Sequence, residues 1–241
     1  MKLALSLIGA AALAAALPAQ AVNVVHQTAQ GSYTTNVFGG SAWTTFTAMF
    51  DAAHARSAVA GFTDPALPGY DAAWVDQELG NTLSSAEMTA LANYIGSGHK
   101  AVLIGENYSW AGWNTSLMGV VGGARTDDCD WSIGTPLIGG VLTAGIGSVQ
   151  NTCGSILGGS GGAQLLFSNG MAALYKIGAG EALVIMDSNW NDNSYIGNYD
   201  NRRFAENVIT WLGAPIPEPG TYALMAAGLA ALGLVARRRK G

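Results

Sequence analysis

Two carboxylates stand where a sheet would present them to a ligand. Glu106 follows the apolar run 101–105, and Asp187 follows the apolar run 182–186. Runs this short and this apolar read as buried strands, and neighbouring parallel strands deliver the residues after their C-terminal ends to one edge. A carboxyl pair there suits general acid–base work on a glycosidic bond, provided the groups lie roughly 5–10 Å apart across an open cleft. Thiol chemistry has less to build on. The chain has two cysteines, Cys129 and Cys153, and its three histidines, His26, His54 and His99, all lie in the first half. A cysteine nucleophile needs a base beside it.

Asp187, Asn189 and Asn191 occupy the first, third and fifth positions of a calcium-loop pattern. The sixth position is Asp192 where glycine is required, and the twelfth is Asn198 where a bidentate glutamate is required. An Asx-rich turn explains the same residues. Asp127, Asp128 and Asp130 form a second acidic cluster beside Cys129. Neither the histidines nor the cysteines are grouped for a transition metal, and no cofactor is expected. Tyr108, Trp110, Trp113, Trp131, Trp190, Tyr195 and Tyr199 are interleaved with Asn, Ser and Asp in segments read as loops. Aromatic faces beside such groups suit a polysaccharide, although rings of this kind also pack loops onto a core.

These residues need elements to hold them. Phe46, Met49 and Phe50 follow Trp43 at helical spacing within 42–55. Ser84 with Glu87 three residues on forms a capping box, opening a helix that runs to Ile95 and stops at Gly96 and Gly98. Residues 57–62, 70–75, 101–105, 165–167, 172–177 and 182–186 read as strands, and 202–212 as a closing amphipathic helix. Residues 137–149 and 156–163 are glycine-rich enough to suggest loops or irregular strands. Strands alternating with helices predict an α/β fold, a three-layer sandwich on a mainly parallel sheet. The segment 70–107 resembles the class I glutamine amidotransferase-like fold, in the order of strand, capped helix, glycine turn and central strand. That resemblance implies a nucleophilic cysteine after the central strand, where this chain has Glu106, Asn107 and Tyr108. A noncatalytic relative is therefore the expectation.

The composition and the two ends speak to location. Only 11% of the residues are charged, against roughly 25% in ordinary soluble domains. The net charge of −5 argues against a nucleic-acid partner, which needs a clustered basic face, and the chain's basic cluster lies at its extreme C-terminus. Lys2, the apolar run 3–17 and the small-x-small site Ala19, Gln20, Ala21 make up a secretory leader, with cleavage expected between Ala21 and Val22. At the other end stand Pro217, Glu218 and Pro219, an uncharged apolar stretch over 222–236, and a basic run over 237–240. That stretch is long enough for a marginal membrane helix, and the basic run would stay on the cytoplasmic side.

The order of motif, short hydrophobic helix and arginine cluster resembles the PEP-CTERM sorting signal. The resemblance implies an exosortase as the processing partner, after signal peptidase, and delivery to the cell surface or extracellular matrix from the inner membrane. The expected organisation is a signal peptide over 1–21, one exported α/β domain over 22–214, and a sorting tail over 215–241. Export also predicts a disulfide between Cys129 and Cys153, since that compartment permits pairing. The functional expectation is a non-enzymatic envelope or matrix protein associated with exopolysaccharide. The alternative is an envelope glycan hydrolase using Glu106 and Asp187.

Overall fold

The computed structural model describes residues 20–27, 35–63, 65–76, 82–126, 129, 131–151, 153–159 and 162–216. The sorting motif, the apolar stretch behind it, nearly all of the leader, and Asp127, Asp128 and Asp130 lie outside them. Among the described residues no helix is long and apolar enough to cross a membrane.

The first half alternates strand and helix as its periodicity predicts. Strand β1 (Asn23–Gln27) leads to α1 (Thr44–Asp51), then β2 (Ala55–Val59), β3 (Ala72–Val75), α2 (Ser85–Gly96) and β4 (Lys100–Ile104). The Ser84–Glu87 capping box is present in both directions at the start of α2. Then comes a helix absent from the sequence reading, α3 (Ala111–Val121), whose Trp113, Leu117, Val120 and Val121 make a buried stripe. It ends at Gly122, whose φ of 62° is the left-handed conformation that glycine adopts at least cost. Trp110 and Trp113, expected in a loop, sit at and inside this helix.

Short strands β5 (Gly123–Thr126), β6 (Ile133–Gly134), β7 (Val149–Gln150) and β8 (Ser155–Gly159) follow, forming two small two-stranded sheets. The chain then returns through β9 (Gln164–Leu165), β10 (Ala172–Ile177) and β11 (Gly180–Ile185) before closing with α4 (Asn201–Gly213). The main sheet has the order β2-β1-β3-β4-β11-β10-β9. Its first five strands are parallel, while β10 and β9 run antiparallel as a hairpin extension.

Both faces of the sheet are covered. Val24, Trp74, Ile104 and Ile185 join Phe46 and Phe50 of α1 and Phe204, Val208 and Leu212 of α4 in one core. On the other face Val25, Val75, Leu103 and Val184 pack against Leu91 and Ile95 of α2 and Leu117 of α3. Each such fully buried side chain contributes about 1.5–3 kcal/mol of transfer free energy. With β3, β4 and β11 adjacent and parallel, the residues after their last positions share one edge.

Candidate functional site

Strand β4 is buried along its whole length, and its exit is held rigidly. Buried Asn114 of α3 accepts from the Glu106 N–H at 2.7 Å and donates to the Glu106 and Asn107 carbonyls at 2.9 and 3.1 Å. Trp113 Nε1 donates to the Ile104 carbonyl at 3.0 Å. Helix α3 therefore fixes the turn that carries Glu106. On the neighbouring strand end, Asp187 opens a 3-10 turn over Ser188–Asn191 and accepts from the Asn189 N–H at 2.8 Å.

The fold brings the two carboxyls together. The Ser188 hydroxyl donates to Glu106 Oε1 and lies 3.4 Å from Asp187 Oδ1. Two oxygens within reach of one hydroxyl are at most about 6 Å apart. Glu106 Oε2 accepts from the Asn107 N–H and Nδ2 at 3.3 and 3.4 Å. Among the described residues Asp187 Oδ2 has no hydrogen-bond partner. Burial pushes Glu106 up to about 8, with the charge of Asp187 adding to the rise. Burial likewise pushes Asp187 up to about 7, against the lowering effect of its Asn189 and Ser188 hydrogen bonds. Two close carboxyls in a buried site hold a proton that either alone in water would lose.

The open cleft expected around them is not there. Glu106 is 2% exposed and Asp187 0%. A segment before α1 closes over this edge: Asn36 Nδ2 donates to Asn189 Oδ1 at 2.8 Å, and the Phe38 N–H donates to Asp76 Oδ2 at 3.1 Å. Asp76, Ser188 and Asn114 are the site residues that the sequence reading passed over. Asp76 follows β3 as Glu106 follows β4, so the same rule would have found it.

The calcium-loop positions are partly engaged within the fold, while both side-chain polar atoms of Asn191 find no hydrogen-bond partner among the described residues. Asp187 Oδ1 caps its own turn, Asn189 is bonded to Asn36, and Asn191 is fully buried. Among the described residues no group of three or more His, Cys, Asp or Glu side chains is placed to hold a metal ion. Cys129 and Cys153 form the expected disulfide.

The aromatic residues divide. Trp113 and Trp190 are core residues at 3% and 0% exposure, which corrects their assignment to open loops. Trp110 is half-buried. Tyr108, Trp131 and Tyr199 are exposed. Trp131 packs its ring 5.2 Å from that of Tyr195 at 59°. Tyr195 lies on the connection from β11 to α4 that also carries Asp187.

Residues 215–240 match the PEP-CTERM protein-sorting motif. The motif implies an exosortase as the processing partner and export to the cell surface or beyond it. The chain is similar to the mmIFT52 N-terminal domain, with a TM-score of 0.62 at 14% identity over 81% of this chain and 99% of that one. It is also similar to the cytoplasmic protein STM1381 from Salmonella typhimurium LT2, with a TM-score of 0.57 at 12% identity over 79% and 99% of the two chains. A putative ThuA-like protein from Bacteroides uniformis gives 0.51 at 11% identity over 80% and 91%. Identities this low show a shared fold alone. Among curated proteins none matches the chain.

Proposed function

We propose that this exosortase-sorted chain is a non-enzymatic surface or matrix protein that contacts exopolysaccharide through the Trp131–Tyr195 pair. In this reading signal peptidase removes residues 1–21, and the apolar stretch behind the sorting motif holds the chain in the inner membrane until an exosortase acts. The observation that carries the contact is the exposure of Trp131, 58%, beside the half-buried Tyr195 ring. An indole left this open, packed on a Tyr195 ring that Ser194 and Asn198 flank in sequence, offers an apolar face and polar neighbours to a sugar ring. The burial of Glu106 and Asp187 supports a structural role for that pair, because catalysis on a glycan needs both carboxyls at the substrate.

The test uses protein purified from its host and the host's own matrix polysaccharide. Trp131→Ala should weaken binding by about tenfold, the equivalent of about 1.4 kcal/mol, and leave the melting temperature unchanged. Unaltered binding by this variant would remove that pair from the proposal.

One observation favours a second reading, an envelope glycan hydrolase. A carboxyl separation of at most about 6 Å falls near the spacing of retaining glycosidases, and a raised Glu106 has the protonation state of a general acid. That reading requires the segment over the edge to open. Release of reducing ends by the parent protein, abolished by both Glu106→Gln and Asp187→Asn, would replace the first reading with this one.

A further inference from the structure

The two ends of the α/β domain meet at the foot of the sheet, opposite the carboxyl edge. The Gln20 N–H donates to the carbonyl of Gly213, the last residue of α4, at 3.0 Å. The Val22 N–H donates to Nδ1 of buried His54 at 3.3 Å. On its other side the His54 Nε2 lies 2.8 Å from the Ile209 carbonyl. A carbonyl only accepts, so Nε2 carries the ring proton and Nδ1 is left as an acceptor facing Val22. One residue on, the Asn23 N–H donates to Asp71 Oδ2 at 2.7 Å. Gln20, Val22, Asp71 and Gly213 line one cavity of about 260 Å³.

The small-x-small site ending at Ala21 puts the leader cut at this spot. Hydrolysis of the Ala21–Val22 peptide bond adds water across it. Ala21 departs as a carboxylate with the leader, and Val22 becomes an α-ammonium. We propose that this α-ammonium is a bound group of the folded domain, seated by His54 Nδ1, the Gly213 carbonyl that Gln20 leaves, and the Asp71 carboxylate. The peptide nitrogen brought one proton to the cavity. The ammonium brings three, and its charge meets the carboxylate of Asp71. Lys100, the other cation lining the cavity, is already engaged by the Trp211 and Ala214 carbonyls. The seat ties the new N-terminus to the end of α4, two residues before the sorting motif begins. It depends on cleavage after Ala21 and is independent of any glycan contact.

The exported protein, purified from its host, tests this directly. Mass spectrometry reads its N-terminus, and the folded protein is then treated with a limiting amine-methylating reagent. The expected chain starts at Val22, with its α-amine modified about tenfold more slowly than in the urea-unfolded protein, as for a group released only by opening. Exposed Lys176 serves as the control and should react alike in both states. Asp71→Asn, which keeps an acceptor for the Asn23 N–H, and His54→Gln should each raise the folded-state reactivity of the α-amine several-fold. An N-terminus at any other residue overturns the proposal at the cleavage step. Equal reactivity in folded and unfolded protein, or variants that leave it unchanged, overturns the seat itself.

Discussion

The buried carboxyl pair makes stability fall as pH rises, and Glu106→Gln should remove much of that dependence. Glu106 and Asp187 have folded-state pKa values of about 8 and about 7, above their ordinary values of 4.5 and 3.8. Between those limits the native state holds protons that the unfolded chain has released. Their stabilising contribution is complete below the unfolded pKa values and is lost as pH climbs through the folded ones. Each retained proton changes unfolding free energy by about 1.4 kcal/mol per pH unit, so one proton amounts to about 4 kcal/mol between pH 5 and pH 8. In the glutamine variant no charge develops at position 106. The amide can face its Nε2 toward Ser188, whose hydroxyl can turn to accept, and keep its oxygen toward the Asn107 donors. Asp187 then titrates without a carboxylate neighbour, and the slope above about pH 7 should vanish. The assay is urea unfolding at unit steps from pH 5 to pH 8, with midpoints compared at constant m. At pH 5, where Glu106 is protonated and the amide reproduces its hydrogen bonds, the variant should lie within about 1 kcal/mol of the parent. At pH 8 it should match or exceed the parent. A parent whose stability is flat across this range would refute the reasoning, as would a variant that keeps the full slope.

Cys129 and Cys153 should resist alkylation until reduced, and replacing both by serine should lower stability by roughly 3 kcal/mol, the loop-closure value for a separation of 24. Stoichiometric labelling of the unreduced folded protein would contradict this. Gly180→Ala should cost more than about 2 kcal/mol, because its methyl would collide with the Ile95 and His99 carbonyl oxygens, backbone atoms of the turn from α2 into β4. Gly139→Ala has no neighbour within 4 Å and should change stability by less than about 0.5 kcal/mol. Equal melting temperatures for the two would show that the close approach at Gly180 is not rigid.

The sequence made β4, β11, α2 and α4 legible for separable reasons. The two strands are apolar on both faces, which marks a covered parallel sheet. Helix α2 has its capping box, and α4 places Phe204, Val208, Trp211 and Leu212 one turn apart along one face of a helix otherwise rich in Arg, Glu and Asn. Helix α3 carried a signal too, Trp113, Leu117, Val120 and Val121 before two glycines. Its Asn114 and Thr115 and the tryptophans at its start read instead as an open aromatic loop. Asn114 is not on the surface at all: its amide replaces backbone hydrogen bonds at the turn after β4. Periodicity cannot report that, because a buried Asn that serves the backbone looks polar in any pattern. Trp190 misled in the same way, sitting among Asp and Asn residues yet pointing into the core between Phe46 and Phe204. The juxtaposition of Glu106 and Asp187 followed from strand polarity. Their burial did not, since it depends on a segment before α1 folding across the edge.

On the proposed reading, strand polarity also decides which end of the domain meets the matrix. Strand β4 begins at Lys100, whose ammonium holds the Trp211 and Ala214 carbonyls where α4 ends. It ends at Ile104, and Glu106 stands six residues and about 20 Å beyond Lys100. The sorting motif starts at residue 215, so a chain held through that motif is held by the foot of its sheet. The opposite edge, with Glu106, Asp187 and the connection that carries Tyr195, then faces away from the attachment. A ligand site at the foot would be shadowed by whatever holds the tail, whereas a site on the far edge stays accessible before and after an exosortase acts. On that reading the parallel strands put Tyr195, on the connection after β11, at the edge that an attached domain presents outward.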